Sequence, residues 1–343
     1  MPALRSVVVL VALLLSFLPA AARSITDAAG RVVEIPDRVE RVLAAGPPAS
    51  VLVYVLAPDK LAGWVREPKA EEKEFLLPAV RDLPSFGQLT GKGGTANIEA
   101  VLAAKPDIII DVGTMNPTYA SLADKVQAQT GIPYVLIDGA FAKSGATLRE
   151  TGAILGVEVR AETLAAYADQ TLAALEKGLA GIPGEKRPSV YYGRGAEGLE
   201  TGLSGSINME ILEAVGARNV AAAAGKGGLT QVSLEQVLSW KPDVILASSP
   251  KFAKAVKTDP LWAGLDAVKA GRIHTAPSLP FGWIDSPPGI NRLIGVSWLE
   301  HLLYPEAFPA ALDEKVRTFF KLFYQVELGD AQLATLLGKG AAK

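Results

Sequence analysis

Along this chain of 343 residues the apolar positions switch repeatedly between the period of a strand and that of a helix. Short apolar runs at 41–45, 60–65, 107–111 and 134–137 read as strands. Between them, 49–56, 98–105 and 118–130 carry apolar residues at helical spacing. Ahead of these, 25–36 reads as a small hairpin turning at Ala29-Gly30. The alternation resumes with a strand at 188–192, a helix at 207–215, a helix and strand over 233–247, and a strand at 272–275. Two closing helices follow, at 289–304 and 313–325, and 340–343 is expected to fray. Such alternation implies mostly parallel sheets covered by helices on both faces.

Residues 143 to about 181 break the rhythm, running helical with Gly152 and Gly156 tolerable inside or between helices. A helix of about 20 residues spans about 30 Å, enough to bridge two lobes. The middle of the chain holds no flexible linker, so the connection is stiff. The fold class predicted is α/β: two three-layer α/β/α lobes with mostly parallel sheets, joined by one long rigid helix, with a ligand cleft between them. The boundaries expected are a signal segment at 1–22, an N-terminal lobe at 23–142, the inter-lobe helix at 143–184 and a C-terminal lobe with its closing helices at 185–343.

An internal echo supports the two-lobed reading. Asn97-Ile-Glu-Ala-Val-Leu-Ala-Ala-Lys-Pro-Asp-Ile-Ile-Ile110 aligns without a gap to Ser233-Leu-Glu-Gln-Val-Leu-Ser-Trp-Lys-Pro-Asp-Val-Ile-Leu246, with seven of fourteen positions identical. Each copy follows Gly-Lys-Gly-Gly, at 91–94 and at 225–228. The spacing of 136 residues is too long for a solenoid, whose periods reach roughly 50 residues. Asn97 and Ser233 are natural N-caps, which puts Glu99 and Glu235 in the first helical turn. Carboxylates there stabilise a helix by about 0.3–1 kcal/mol. One on each lobe would also make a two-point key for a dimeric partner.

The N-terminus sets the compartment. Arg5 precedes an apolar run over 7–18, and Ala20-Ala21-Ala22 follows Pro19 as a cleavage signal. The run falls short of the about 20 residues a membrane span requires. Cleavage after Ala22 moves the net charge from −2 to −3, a balance that argues against nucleic acid as a partner. The chain has no cysteine, which excludes disulfides, thiolate metal sites, a thiol nucleophile and a lipid-modified N-terminal cysteine. A soluble periplasmic protein is expected.

Catalytic motifs are sparse. Gly193-Arg-Gly-Ala-Glu-Gly198 matches a dinucleotide fingerprint in form, but glycine-rich Leu199–Gly205 follows where a helix should open. His274 and His301 are not at metal-ligand spacing and read as structural, and no Gly-x-Ser-x-Gly elbow is present. The segment from Pro280 to Arg292 is rich in proline and glycine and carries Trp283, Asp285 and Arg292. A rigid loop of this kind suits recognition. Its alternative is a stiff connector with Trp283 in the core.

Taken together, the two Glu-containing repeats and Ser206-Ile-Asn-Met-Glu-Ile-Leu-Glu-Ala-Val-Gly-Ala-Arg-Asn219 resemble the periplasmic binding proteins that serve iron-complex, haem and vitamin B12 importers. The resemblance implies a ligand held between two lobes and one Glu per lobe docking on a dimeric membrane permease of an ABC importer. Those roles fall on Glu99 and Glu235, and the aromatic of the late second-lobe loop falls on Trp283. Strand-end loops then supply Pro47, Trp64, Arg66, Thr114, Tyr119, Arg194, Glu200, Asp285 and Arg292 as ligand contacts. The arginines favour an anionic ligand through charge-assisted hydrogen bonds. A ferric siderophore-type chelate leads, with molybdate or tungstate, haem and cobalamin as alternatives. The protein is expected to act as a monomer without a cofactor or resident metal, and not as an enzyme. The rival classes are an exported metal-dependent enzyme using Asp285 or a histidine, and a scaffold without a small ligand.

Overall fold

The computed structural model describes residues 22–90 and 94–339. The expected signal segment up to Ala21, Gly91–Gly93 of the first glycine stretch and the expected fraying end from Gly340 lie outside the described residues. Strands β1 (Ala22–Thr26) and β2 (Val32–Pro36) form the expected antiparallel hairpin. Asp27 organises its turn by accepting the Ala29 and Arg31 amides at 3.0 Å each.

Lobe one is a parallel sheet in the order β3-β4-β5, with β3 Val42–Ala44, β4 Ile108–Gly113 and β5 Tyr134–Asp138. Helices α1 (Pro47–Leu56), α2 (Ala70–Lys73), α3 (Ile98–Ala103) and α4 (Pro117–Thr130) surround it. Lobe two is a parallel sheet in the order β11-β10-β6-β8. Its strands are β6 Ser189–Gly193, β8 Arg218–Asn219, β10 Val244–Ala247 and β11 Ile273–Thr275. A ribbon of β7 (Glu200–Gly202) against β9 (Leu229–Gln231), not anticipated from the sequence, sits beside it. The lobe's helices are α7 (Glu210–Ala214), α8 (Leu234–Trp240), α9 (Pro250–Thr258) and α10 (Asp266–Lys269).

The internal repeat has a physical cause. In both copies the helix closes on a lysine in the left-handed region, Lys105 at φ 47° and Lys241 at φ 49°. The following Pro-Asp then places a carboxylate at the entry of the neighbouring strand. Asp107 accepts the Glu40 and Arg41 amides at 2.7 Å each, and Asp243 accepts the Ser189 amide at 2.7 Å and its hydroxyl at 2.6 Å. Each Lys-Pro-Asp is therefore a strand-to-strand clamp, which explains why these three residues recur.

The connection is two helices, not one. Gly156 at φ 68° ends α5 (Ser144–Leu155), and α6 (Glu158–Leu179) starts anew. Gly152 is inside α5, where a Cβ would lie 2.1 Å from the Ala161 Cβ, so the glycine permits close packing of α5 on α6. The bridging element is α6, about 33 Å long at 1.5 Å per residue.

Two further expectations need correction. Residues 60–65 form no continuous strand; Leu61 and Trp64 make single bridges to Val42 and Ser85. A Cβ on Gly63 would sit 2.3 Å from the Pro84 carbonyl, so the chain threads a tight crossing instead of pairing along its length. The closing helices α11 (Arg292–Leu303), α12 (Leu312–Phe319) and α13 (Asp330–Leu336) do not all stay with lobe two. Tyr324, beyond α12, stacks on Tyr54 of lobe one at 6.0 Å, and Phe320 meets Phe75 edge-on at 6.1 Å. Arg160 of α6 ties the same place together, donating to the Val55 carbonyl at 2.6 Å and to those of Leu322 and Phe323 at 3.2 Å. Val42, Leu52, Leu164, Leu212, Leu293 and Phe320 consequently share one continuous core. The lobes are held by buried packing as well as by a helix.

Candidate functional site: a cavity between the lobes

Both sheets point their C-terminal strand ends at one cavity of about 510 Å³, the position at which open α/β sheets bind ligands. Lobe one contributes Gly46–Pro48 and Ser50 at the start of α1, Trp64 and Arg66, Glu72 of α2, Thr90, and Asp111–Thr114 at the end of β4 with Tyr119. Lobe two contributes Arg194 after β6, Ile207, Asn208, Pro280, Phe281 and Asp285–Pro288.

Each wall carries one arginine, and each arginine already has carboxylate partners. Arg66 grips Glu72 with two bonds of 2.7 Å. This pairing raises Arg66 above its ordinary value. Burial would raise Glu72, but Arg66 and the Lys69 amide hold its carboxyl below the usual range. Arg194 pairs with both Glu200 and Asp285, and Asn208 donates to Asp285 as well. Asp285 is fully buried, and burial pushes it upward against the opposing pull of Arg194 and Asn208.

Lobe one has a further buried carboxylate with a different environment. Asp111, 1% exposed, takes hydroxyls from Tyr119 and Tyr134 at 2.7 Å each and from Thr90 at 3.2 Å, plus the Val112 amide at 3.0 Å. It makes no ion pair among the described residues, and burial raises its carboxyl. Two glycines keep this corner open. A Cβ on Gly113 would meet the Tyr119 hydroxyl at 2.9 Å, and one on Gly46 would meet Thr90 Oγ1 at 3.0 Å.

Helix α1 also begins at the cavity, but Pro47 and Pro48 occupy its first two positions. They remove two of the free N–H groups that make an ordinary helix start attractive to anions. Recognition here falls to side chains. Ser50 Oγ is buried in the wall without a hydrogen-bond partner among the described residues, a donor left for whatever fills the space.

Of the ligand contacts expected from the sequence, Pro47, Trp64, Arg66, Thr114, Tyr119, Arg194 and Asp285 come together around this cavity. Glu200 is one step back, paired with Arg194 behind the wall. Trp283 is displaced from its expected place: it is fully buried, its Nε1 donates to the Leu279 carbonyl at 3.2 Å, and its ring packs toward Phe320 at 6.4 Å. Gly295 makes that burial possible, since a Cβ there would lie 1.8 Å from the Trp283 carbonyl. The aromatic at the wall is Phe281, two residues earlier, 6.0 Å from Trp64 across the lobes. No local signal in the sequence distinguished it from Trp283.

Arg292 is likewise not at the cavity. Only 1% exposed, it donates to Ile207 at 2.7 Å and to Gly139 of lobe one at 3.2 Å, and pairs with Glu210 at 3.3 Å. Its guanidinium lies 4.9 Å from the Phe141 ring centre. Glu210 in turn accepts the Phe141 amide at 2.8 Å. This arginine pins the lobes together instead of meeting the ligand, and burial lowers it to about 10.

Glu99 and Glu235 are both exposed in the first turns of α3 and α8. Asn97 caps α3 by accepting the Glu99 and Ala100 amides, and Ser233 forms a reciprocal capping box with Gln236. Hydrogen bonding from Ser233 holds Glu235 below the ordinary carboxylate range. Each helix ends where the next strand begins and lays Val101 or Val237 on its sheet core, so its N-terminus lies toward the strand's cavity end. Among the described residues no helix is long and apolar enough to cross a membrane, and no cluster of three or more His, Cys, Asp and Glu is arranged to hold a metal ion.

The sequence profile described as "Periplasmic binding protein" matches residues 54–279. The molybdate-binding protein MolA of Haemophilus influenzae is 30% identical, over 91% of this chain and 93% of its own. Its solved structure bound to molybdate superposes with a TM-score of 0.73 at 25% identity, covering 90% of this chain and 99% of that one. An ABC transporter solute-binding protein from Sulfurospirillum deleyianum superposes with a TM-score of 0.83 at 31% identity, covering 92% of this chain and 99% of that one.

Proposed function

The chain belongs to the periplasmic binding protein family, and from that premise we propose that it captures an anionic metal complex of the ferric siderophore type and delivers it to an ABC importer. The observation that carries this reading is the cavity of about 510 Å³ with Arg66 on one wall and Arg194 on the other. A chelate of that size can meet both arginines at once while Trp64, Phe281 and the prolines 280, 287 and 288 cover its organic rim. A bare tetrahedral oxyanion leaves most of that volume unfilled. Because both arginines are already paired, the ligand's oxygens must share or displace Glu72, Glu200 and Asp285. Charge complementarity then contributes selectivity more than raw affinity.

A second reading, molybdate or tungstate as the cargo, is favoured by the likeness to the Haemophilus influenzae molybdate-binding protein. Titration calorimetry separates the two. Ferric tricatecholate or trihydroxamate chelates are expected to bind at least tenfold more tightly than molybdate. The reverse ranking removes the chelate reading and leaves the oxyanion.

Delivery is assigned to Glu99 and Glu235, exposed at matching places on the two lobes. Replacing both with Ala is expected to leave ligand affinity unchanged. Uptake by the intact transporter should fall by at least about tenfold, since truncating one member of a docking charge pair costs about 2–5 kcal/mol. Uptake equal to wild type rejects the docking role.

A further inference from the structure

Lobe two carries a second polar depression, at the end of its sheet away from the cavity. The sheet order β11-β10-β6-β8 sets four strand entries side by side. Arg272 precedes β11, Asp243 precedes β10, Arg187 precedes β6 and Arg218 opens β8. At about 4.8 Å between strands, this row is about 14 Å long. These residues, with Lys186 and the partly buried Leu302 and Leu303, line a groove of about 450 Å³.

The guanidinium groups are fixed in a shared manner. Arg272 Nε donates to the Asp243 carbonyl at 2.6 Å, and Arg218 Nε donates to the Arg187 carbonyl at 3.1 Å. Arg187 Nε donates to the Ile182 carbonyl at 3.2 Å, and its side chain lies over Gly216, where a Cβ would come within 3.1 Å of Nη1. Both terminal nitrogens of Arg272 are without a protein partner among the described residues, and those of Arg218 approach only Asp243, at 3.7 Å. Asp243 offsets only part of the row's charge. Burial would raise its carboxyl, but the Ser189 hydroxyl and amide, with Arg218 and Arg272, hold it low and occupied. Four cations face two carboxylates, Asp243 and Glu185.

The other copy of the repeat is an internal control. Its clamp at Asp107 has Arg41 beside it, donating to the Ala104 carbonyl at 2.6 Å, and needs no row of arginines to hold its strands. The fold therefore does not require three.

We propose that this groove is a second binding site, distinct from the inter-lobe cavity, for a phosphate-bearing polyanion. Guanidinium groups fixed through Nε present their remaining N–H groups as forks that match phosphate oxygens. Four cations against two carboxylates leave the groove net positive, and Leu302 and Leu303 supply an apolar margin. The phosphate can be free or carried on a lipid.

The test uses the full-length protein with two probes: inorganic pyrophosphate by titration calorimetry, and flotation with phosphatidylglycerol vesicles against phosphatidylcholine vesicles. Saturable, salt-sensitive binding of either anionic probe is expected, weakened at least tenfold in Arg218→Gln plus Arg272→Gln. Binding of pyrophosphate alone identifies a soluble polyphosphate as the source, and binding of the anionic vesicles alone identifies a lipid. Arg218→Lys plus Arg272→Lys is expected to regain part of the affinity, and both double variants are expected to melt like wild type and bind the cavity ligand equally well. No binding of either probe overturns the proposal, as does undiminished binding by the double glutamine variant.

Discussion

The two lobes are alike where they hold themselves together and unlike where they face each other. Both use a capped helix carrying an exposed glutamate, a left-handed lysine and an Asp clamp on the adjacent strand. At the cavity the likeness ends. Lobe one offers a half-exposed Arg66–Glu72 pair and the hydroxyl-ringed Asp111. Lobe two offers a deeply placed Arg194–Asp285 pair with Asn208 beside it at the wall. Internal repetition in this chain therefore reports scaffold, and the residues that choose a ligand are to be sought where the copies diverge.

The sharpest way to break that picture is to unpin the lobes. Arg292 is a buried residue that joins them through hydrogen bonds and an ion pair, to Gly139 on one side and to Ile207 and Glu210 on the other. Arg292→Met leaves Glu210 without its cation, though still holding the Phe141 amide, and strips the guanidinium from the Gly139, Ile207 and Gly289 carbonyls; breaking a buried pair in this way costs about 3–5 kcal/mol. Urea denaturation is expected to show that loss. A change within 1 kcal/mol would mean the aromatic packing around Tyr54, Phe320 and Tyr324 holds the lobes without it.

A smaller effect tests the likeness itself. Asp107→Ala and Asp243→Ala each remove a carboxylate that accepts two short bonds, at a cost of about 1–3 kcal/mol. The two losses are expected to agree within a factor of two. Clearly unequal values would show that the repeat preserves sequence without preserving energetic role.

The pattern of the sequence made the scaffold readable because its causes are local. Caps, Gly-Pro punctuation, Lys-Pro-Asp and strand–helix alternation each act within a few residues, and they located most strands and helices of both sheets. The site was less readable because wall membership depends on which way a loop side chain turns. Pro280–Asn291 is the loop its prolines and glycines announced, yet its tryptophan faces the core over Gly295 and its phenylalanine faces the cavity. Arg292 looked like a loop cation and is the first residue of α11, turned inward. Nothing local to Asp111 advertised the hydroxyls of Thr90, Tyr119 and Tyr134, which converge only when three separate segments meet.

The smallest effect sharpens the contrast between the two arginine pairs through pH. Glu72 is held below the ordinary carboxylate range, so its pair stabilises the fold above the unfolded value, about 4.3, and loses that contribution as pH falls through the lowered folded value. Asp285 has the opposite sign. Its carboxyl is raised by burial, so its contribution is greatest at low pH and diminishes as pH rises through the raised folded value. Because the Arg66 side chain is 58% exposed, the lobe-one term is screened to below about 1 kcal/mol. Denaturation midpoints of Glu72→Gln and Asp285→Asn, followed from neutral pH into acid, are expected to depart from wild type with slopes of opposite sign. Acidification should narrow the gap between Glu72→Gln and wild type, because wild type then loses the same pair. Parallel curves for the two variants would mean that the lobes do not differ electrostatically at the cavity, and that their divergence there is one of shape.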